Sequence, residues 1–185
     1  MRYFLSGRSP EVNAILLVES GSRGIAEAVA PILYRNHENT RIDLVSCFAT
    51  LPRGFDAATT RIYRVADFRG SEGRGKLYKL LRQNGYSAVG IICSEEPLMT
   101  KWKWALALKV PAKVFIVNEN SDYFWFDLTN HKLIRQFVLT RTGLGGAGAV
   151  RTLARVISFP FTFAYLLLYA TVAHGMRALR RPSSL

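Results

Sequence analysis

After Asp127 the chain has no acidic residue. Eight basic residues, Lys132, Arg135, Arg141, Arg151, Arg155, Arg177, Arg180 and Arg181, follow it unopposed. Residues 1–127 hold the other 17 basic groups and all 13 acidic ones, a balance of +4 within a total of +12. The first part therefore has an ordinary charge, and two-thirds of the excess lies in the tail. Arginines beside an apolar segment are drawn to anionic lipid by about 1 kcal/mol each. Nucleic-acid binders instead spread basic groups and aromatics over a folded face. The arrangement points to membrane lipid as a partner and away from nucleic acid.

Other scarcities exclude further classes. Cys47 and Cys93 are the only cysteines, each ends an apolar run, and there is no CxxC pair. A disulfide framework and a zinc cluster are thereby excluded, and both thiols are expected as reduced core residues. His37, His131 and His174 are scattered, with no other ligand type at metal spacing, so no metal is expected. The first residues lack an apolar stretch long enough for a signal peptide, which keeps most of the chain on the cytoplasmic side. "GSRG" has no lysine for a Walker loop. "GLGGAG" (143–148) matches G-x-G-x-x-G but has neither a core strand before it nor a sheet-packed helix after it. It reads as a glycine-rich hinge, and no nucleotide cofactor is expected.

What the chain does contain is enough for one domain and an appendage: 185 residues, 49% hydrophobic and 21% charged. "NAILLVES" (13–20) is a short apolar run without helical spacing and reads as a buried strand. "GIAEAVAPILYRN" follows with Ile25, Ala28, Val29, Ile32 and Leu33 at helical spacing. "RIDLVSCF" (41–48) and "TRIYRV" (60–65) read as strands and "GKLYKLLRQNG" (75–85) as a helix closed by Asn-Gly. "YSAVGIIC" is a fourth strand, "PLMTKWKWALALKV" a helix with Pro97 in its first turn, "AKVFIVNEN" a fifth strand, "DYFWFD" a short sixth, and "HKLIRQFVLTRTG" a last helix. Strands alternating with helices predict an α/β fold with a doubly wound, mostly parallel, Rossmann-like sheet over residues 1–142.

Ligands of such sheets lie beyond the carboxyl ends of the strands, where strand order reverses. The loops expected there are "ESGSRG" (19–24) and "CSEEPLM" (93–99). Ser20, Ser22, Arg23 and Gly24 stand at a helix N-terminus, which suits a phosphate or carboxylate. Ser94, Glu95 and Glu96 offer hydroxyl and carboxylate groups on the other side. In "KWKW" (101–104), one tryptophan is expected in the core and the other partly exposed, since residues two apart point to different helix faces.

The order of elements and the first βα unit, "AILLVESGSRGIAEAVAPIL", resemble the N-terminal, acceptor-side half of GT-B glycosyltransferases, closest to the heptosyltransferase-like group. Gly24 matches the family glycine, Pro31 and Leu33 match its later Thr-Pro-x-Leu turn, and "NGYSAVGIICSEEP" is similar to the strand that opens onto the acceptor site. The resemblance covers about residues 12–130. The aspartate that serves that family as general base falls on Ile25 here, and the nucleotide-sugar domain is replaced by residues 149–181. It therefore implies a glycolipid or sugar-phosphate ligand without autonomous sugar transfer. Glu19 and Glu27 are the nearest substitutes for the missing base.

"VISFPFTFAYLLLYATVA" (156–173) has no charge in eighteen residues, the length of a membrane span. Arg151 and Arg155 flank it on one side and Arg177, Arg180 and Arg181 on the other, which leaves orientation undecided by charge. Tyr165 and Tyr169 lie mid-run, and Pro160 removes a backbone hydrogen bond near its start. A spanning helix over 149–181, kinked at Pro160 and followed by a short tail (182–185), is the leading expectation. A re-entrant or interfacial helix is the alternative, and a buried helix of a soluble fold a third. Two functions are carried forward. One is a half GT-B domain on the inner (cytoplasmic) membrane that binds a glycolipid or sugar phosphate, alone or with a separate glycosyltransferase chain. The other is a non-enzymatic accessory subunit of a membrane protein complex.

Overall fold

A computed structural model describes residues 3–5, 11–94, 96, 98–141, 158–159, 161–165, 168–169 and 171. The chain divides into two compact units, Met1–His131 and Lys132–Leu185. In the first, strands and helices alternate in the order β1 (Ala14–Glu19), α1 (Arg23–Asn36), β2 (Arg41–Ser46), β3 (Ile62–Arg64), α2 (Gly70–Gln83), β4 (Ala88–Ile92), α3 (Thr100–Lys109), β5 (Lys113–Val117) and β6 (Tyr123–Trp125). Helix α4 (His131–Arg141) begins at the boundary.

The six strands form one sheet in the order β3-β2-β1-β4-β5-β6. Strands β1 to β5 are parallel, and β6 runs antiparallel along β5. This is the Rossmann-like α/β arrangement expected from the alternation of strand and helix. Strands β1, β4 and β5 are buried along their whole length. That is why they read as continuous apolar runs rather than alternating ones.

In-register pairing of Ile15 with Ile42 and Leu17 with Leu44 lays one apolar face under α1, which buries Ile25, Ala26, Val29, Ala30 and Leu33 against it. Phe115, Tyr123 and Trp125 continue that face across β5 and β6. Gly90 makes room for the Phe115 ring, since a Cβ there would lie 2.4 Å from its Cζ. Helices α2 and α3 lie together, linked by the Tyr78 and Trp102 rings and by a hydrogen bond from Arg82 Nε to the Lys109 carbonyl.

Three details differ from the sequence reading. Helix α3 starts at Thr100, and Pro97, expected in its first turn, lies outside the described residues. Helix α2 starts at Gly70 rather than Gly75: its first turn is polar and exposed, so no apolar periodicity marked it. In α3 the buried member of "KWKW" is Lys103, not a tryptophan. A helix turns about 100° per residue, which places position 103 with Leu106 and Ala107 toward the sheet. Trp102 is half-buried against Tyr78, and Trp104 is 38% exposed.

In the second unit, Ser158, Phe159, Phe161 to Tyr165, Leu168, Tyr169 and Thr171 are helical. Thr162 Oγ1 donates to the Ser158 carbonyl at 2.9 Å, the i−4 back-bond expected inside a helix. Among the described residues no helix is long and apolar enough to cross a membrane. The hinge at 143–148, Pro160 and the arginines Arg151, Arg155, Arg177, Arg180 and Arg181 lie outside the described residues.

Candidate functional site

Strand order reverses between β1 and β4, so the expected crevice lies where Ser20 and Gly21 face Ile92 and Ser94. The two loops are in direct contact there. Ser20 is fully buried, and its Oγ donates to the Ile92 carbonyl at 2.7 Å, with the Val18 carbonyl 3.3 Å away. Its hydroxyl is committed to the backbone. At Gly21 a Cβ would lie 2.4 Å from Ser94 Oγ and 2.8 Å from Ile92 Cγ2, so only glycine lets the loops approach this closely. Ser94 is half-buried, yet its Oγ is shielded from water and has no hydrogen-bond partner among the described residues. A buried hydroxyl without a partner costs about 1–3 kcal/mol, and a ligand oxygen would relieve that cost.

The other predicted residues divide. Ser22 precedes α1 without a side-chain cap bond, and Gly24 is exposed, where a Cβ would lie 3.9 Å from Ser22 Oγ. Glu96 is exposed, and Glu95 lies outside the described residues. Arg23 turns away from β4, onto the loop after β2. Its Nε is 3.2 Å from Glu19 Oε1, its Nη1 donates to Thr50 Oγ1 at 2.8 Å, and its Nη2 donates to the Thr50 carbonyl. The guanidinium also sits 4.9 Å over the Phe48 ring. Ser20, Gly21 and Ser94 are thus brought together, while Arg23 belongs to a second constellation.

That constellation centres on Glu19, whose side chain is fully buried. Register pairs Glu19 with Ser46 at the carboxyl ends of β1 and β2. Ser46 Oγ donates to Glu19 Oε2 and accepts from the Phe48 N–H at 2.9 Å. Burial pushes the Glu19 carboxyl above its ordinary value, against the smaller opposing pull of Ser46 and Arg23. Glu27 Oε1 accepts from the Arg53 N–H at 3.0 Å. Both candidate bases therefore brace the β2–β3 loop. The only signal for the Glu19–Ser46 pair in the sequence is that both residues close their strands, and it needs the parallel register to become legible.

A raised carboxyl favours its neutral form in the folded state. Its contribution is complete below the ordinary value of 4.5 and is lost as pH rises through the folded pKa. The advantage of wild type over Glu19→Gln is therefore expected to be largest in acid and to shrink as pH rises, as read by tryptophan-monitored melting from about pH 4 to about pH 8. A gap that stays constant or widens would contradict it.

Neither cysteine is in a disulfide. Cys93 is buried as expected, but Cys47, the residue after the end of β2, is exposed. Among the described residues no group of three or more His, Cys, Asp or Glu could hold a metal ion. In comparison with known proteins, no family model matches the chain and no curated protein is detectably similar to it.

Proposed function

We propose that this chain is a membrane-associated, glycosyltransferase-like half-domain that holds a sugar-phosphate or glycolipid headgroup at the carboxyl ends of β1 and β4 and does not complete sugar transfer by itself. One observation carries the membrane half. Phe159, Phe161, Phe163, Tyr165, Leu168 and Tyr169, all from one helical stretch, are between 55% and 72% exposed. A stretch so apolar on every side calls for a lipid or protein cover. A helix embedded in the cytoplasmic membrane, spanning or re-entrant, supplies it and leaves the α/β unit facing the cytoplasm.

The ligand half rests on the unpartnered Ser94 hydroxyl at the switch point. The acceptor-side GT-B resemblance supplies the ligand class. Catalysis is disfavoured because Ile25 replaces the family base, Glu19 is held by Ser46 at the end of β2, and Glu27 is held by the Arg53 N–H. The same commitment of Ser20, Arg23, Glu19 and Glu27 to internal bonds favours the second reading, an accessory subunit of a membrane complex.

The test is thermal unfolding of the full chain in mild detergent with glucose 1-phosphate and with UDP-glucose. Ligand at a hundred times its Kd stabilises by about 2.7 kcal/mol. A rise with the sugar phosphate that Ser94→Ala removes supports the first reading. No rise with either compound, together with stoichiometric co-purification of another membrane protein, would replace it with the second.

A further inference from the structure

The carboxyl-terminal halves of α2 and α3 meet at the edge of the sheet where β4 and β5 begin. A groove of about 450 Å³ runs between them, lined by Gly75, Tyr78, Lys79, Arg82, Gln83 and Lys109. Three of these six are cations, all exposed, and none is acidic. Glu72, in the first turn of α2, is paired with Lys76 at 2.7 Å. Helix-end electrostatics accounts for part of the charge, since Arg82 caps α3 through the Lys109 carbonyl. It accounts as well for Lys109, in the last turn of α3, but not for Lys79, a turn earlier on α2. Beside Lys109, Leu108 is 66% exposed.

The same edge is where the chain leaves the first unit. Asp127 pairs with Lys113, the first residue of β5, and His131 follows after a single 3-10 turn. The unopposed basic residues and the apolar run come next in sequence.

We propose that this edge is a docking face for a bilayer surface rich in anionic phospholipid, with Lys79, Arg82 and Lys109 on lipid phosphates and Leu108 in the headgroup region. The proposal rests on the membrane association argued above. Long cationic side chains keep their charge at the phosphates while an apolar neighbour dips below them. A nucleic acid would want aromatic faces for stacking, but Tyr78 and Trp102 are turned edge-on to each other, with centroids 6.2 Å apart. With this edge on the lipid, the Ser94 crevice stands about 20 Å away at the far ends of the strands. It then opens to water, which selects a soluble sugar phosphate over the headgroup of a lipid in the same bilayer.

The experiment reconstitutes the full chain, carrying Cys47→Ser and a bimane-labelled Gln83→Cys, into phosphatidylcholine vesicles with and without phosphatidylglycerol. Flotation reads membrane association, and quenching of the label by brominated lipid reads the docking face. The expected result is flotation in both lipids with quenching severalfold stronger where phosphatidylglycerol is present. Lys79→Glu with Lys109→Glu should return quenching to the phosphatidylcholine level while flotation persists. The milder Lys79→Gln with Lys109→Gln, at an unchanged melting temperature, guards against misfolding. Flotation without lipid-dependent quenching, or quenching indifferent to charge reversal, overturns the docking face and leaves membrane association standing. Absence of flotation overturns both. Binding of a labelled oligonucleotide that charge reversal abolishes, without lipid quenching, assigns the face to nucleic acid and overturns the proposal.

Discussion

Asp127→Ala is expected to cost about 3–5 kcal/mol, a large share of the roughly 5–15 kcal/mol that holds a domain of this size together. Asp127 Oδ2 lies 2.9 Å from Lys113 Nζ, and both side chains are 2% exposed. The Lys113 ammonium also sits 4.9 Å over the Trp125 ring. Burial by itself would raise the Asp127 carboxyl. The bonds from Thr129, Lys113 and Asn130 and the Lys113 charge outweigh it and hold the carboxyl below its ordinary range. Removing the carboxylate leaves a desolvated ammonium between β5 and β6, which is the source of the cost. A depressed carboxyl stabilises above its ordinary value of 3.8 and loses that contribution as pH falls through the folded pKa. The pair should therefore weaken only in strong acid.

The check is urea unfolding of the full chain in mild detergent, followed by tryptophan fluorescence. All three tryptophans, Trp102, Trp104 and Trp125, belong to the first unit, so the probe reports on the sheet. Replacing both partners together, Lys113→Met with Asp127→Leu, should recover most of the loss, because an apolar pair of similar volume carries no desolvation penalty. A single variant within about 1 kcal/mol of wild type would mean that the pair is solvated as surface pairs are.

Asp43→Ala should cost a similar amount, about 3–5 kcal/mol. Asp43 is fully buried in β2 and organises the polar edge of the sheet. Its Oδ1 accepts from the Arg61 N–H at 3.0 Å and its Oδ2 from the Tyr86 hydroxyl at 2.6 Å. Arg41 Nε is 3.2 Å from Oδ2, an ion pair without hydrogen-bond geometry. Tyr63 and Asn84 extend the network. Alanine would leave a buried phenol, an amide N–H and a guanidinium facing an empty space.

Asp43→Asn keeps one acceptor and should cost less than alanine by at least 1 kcal/mol or so. If the two variants lose the same amount, the network is worth no more than its packing. Burial first, and then the bond to Asp43, push the Tyr86 hydroxyl far above its ordinary value of 10.0. The folded phenol stays neutral where the unfolded one ionises. This contribution is complete below pH 10.0 and is lost as pH rises beyond it, a loss that Tyr86→Phe should remove.

Much of the fold was legible because its signals are local. β1, β4 and β5 are short apolar runs bounded by polar turns, and the run length alone separates a doubly buried strand from a helix. α1 announces itself by helical spacing. The first turn of α2 does not, because Gly70, Ser71, Glu72 and Gly73 carry no apolar stripe. Lys103 was misassigned for a related reason. Hydrophobicity favoured a tryptophan for the core, but the helical angle set by Leu106 and Ala107 turned the lysine inward instead.

The candidate site was legible in place but not in arrangement. The switch-point rule located the loops after β1 and β4, and Ser94 stands there. Which polar groups are free to meet a ligand depends on pairings between residues 27 to 72 positions apart: Arg23 with Thr50, Glu19 with Ser46, Ser20 with Ile92. No local pattern encodes these pairings. The sequence by itself determined the α/β alternation, the charge asymmetry after Asp127 and the apolar run at 156–173, because each follows from residue type and spacing along the chain. Only the tertiary structure decided that Glu19 is a buried brace, that Arg23 is withdrawn from the crevice and that Lys79, Arg82 and Lys109 share one groove. Burial and hydrogen bonding belong to the packed sheet, where parallel register and helix crossing bring distant residues within 3 Å or so of one another.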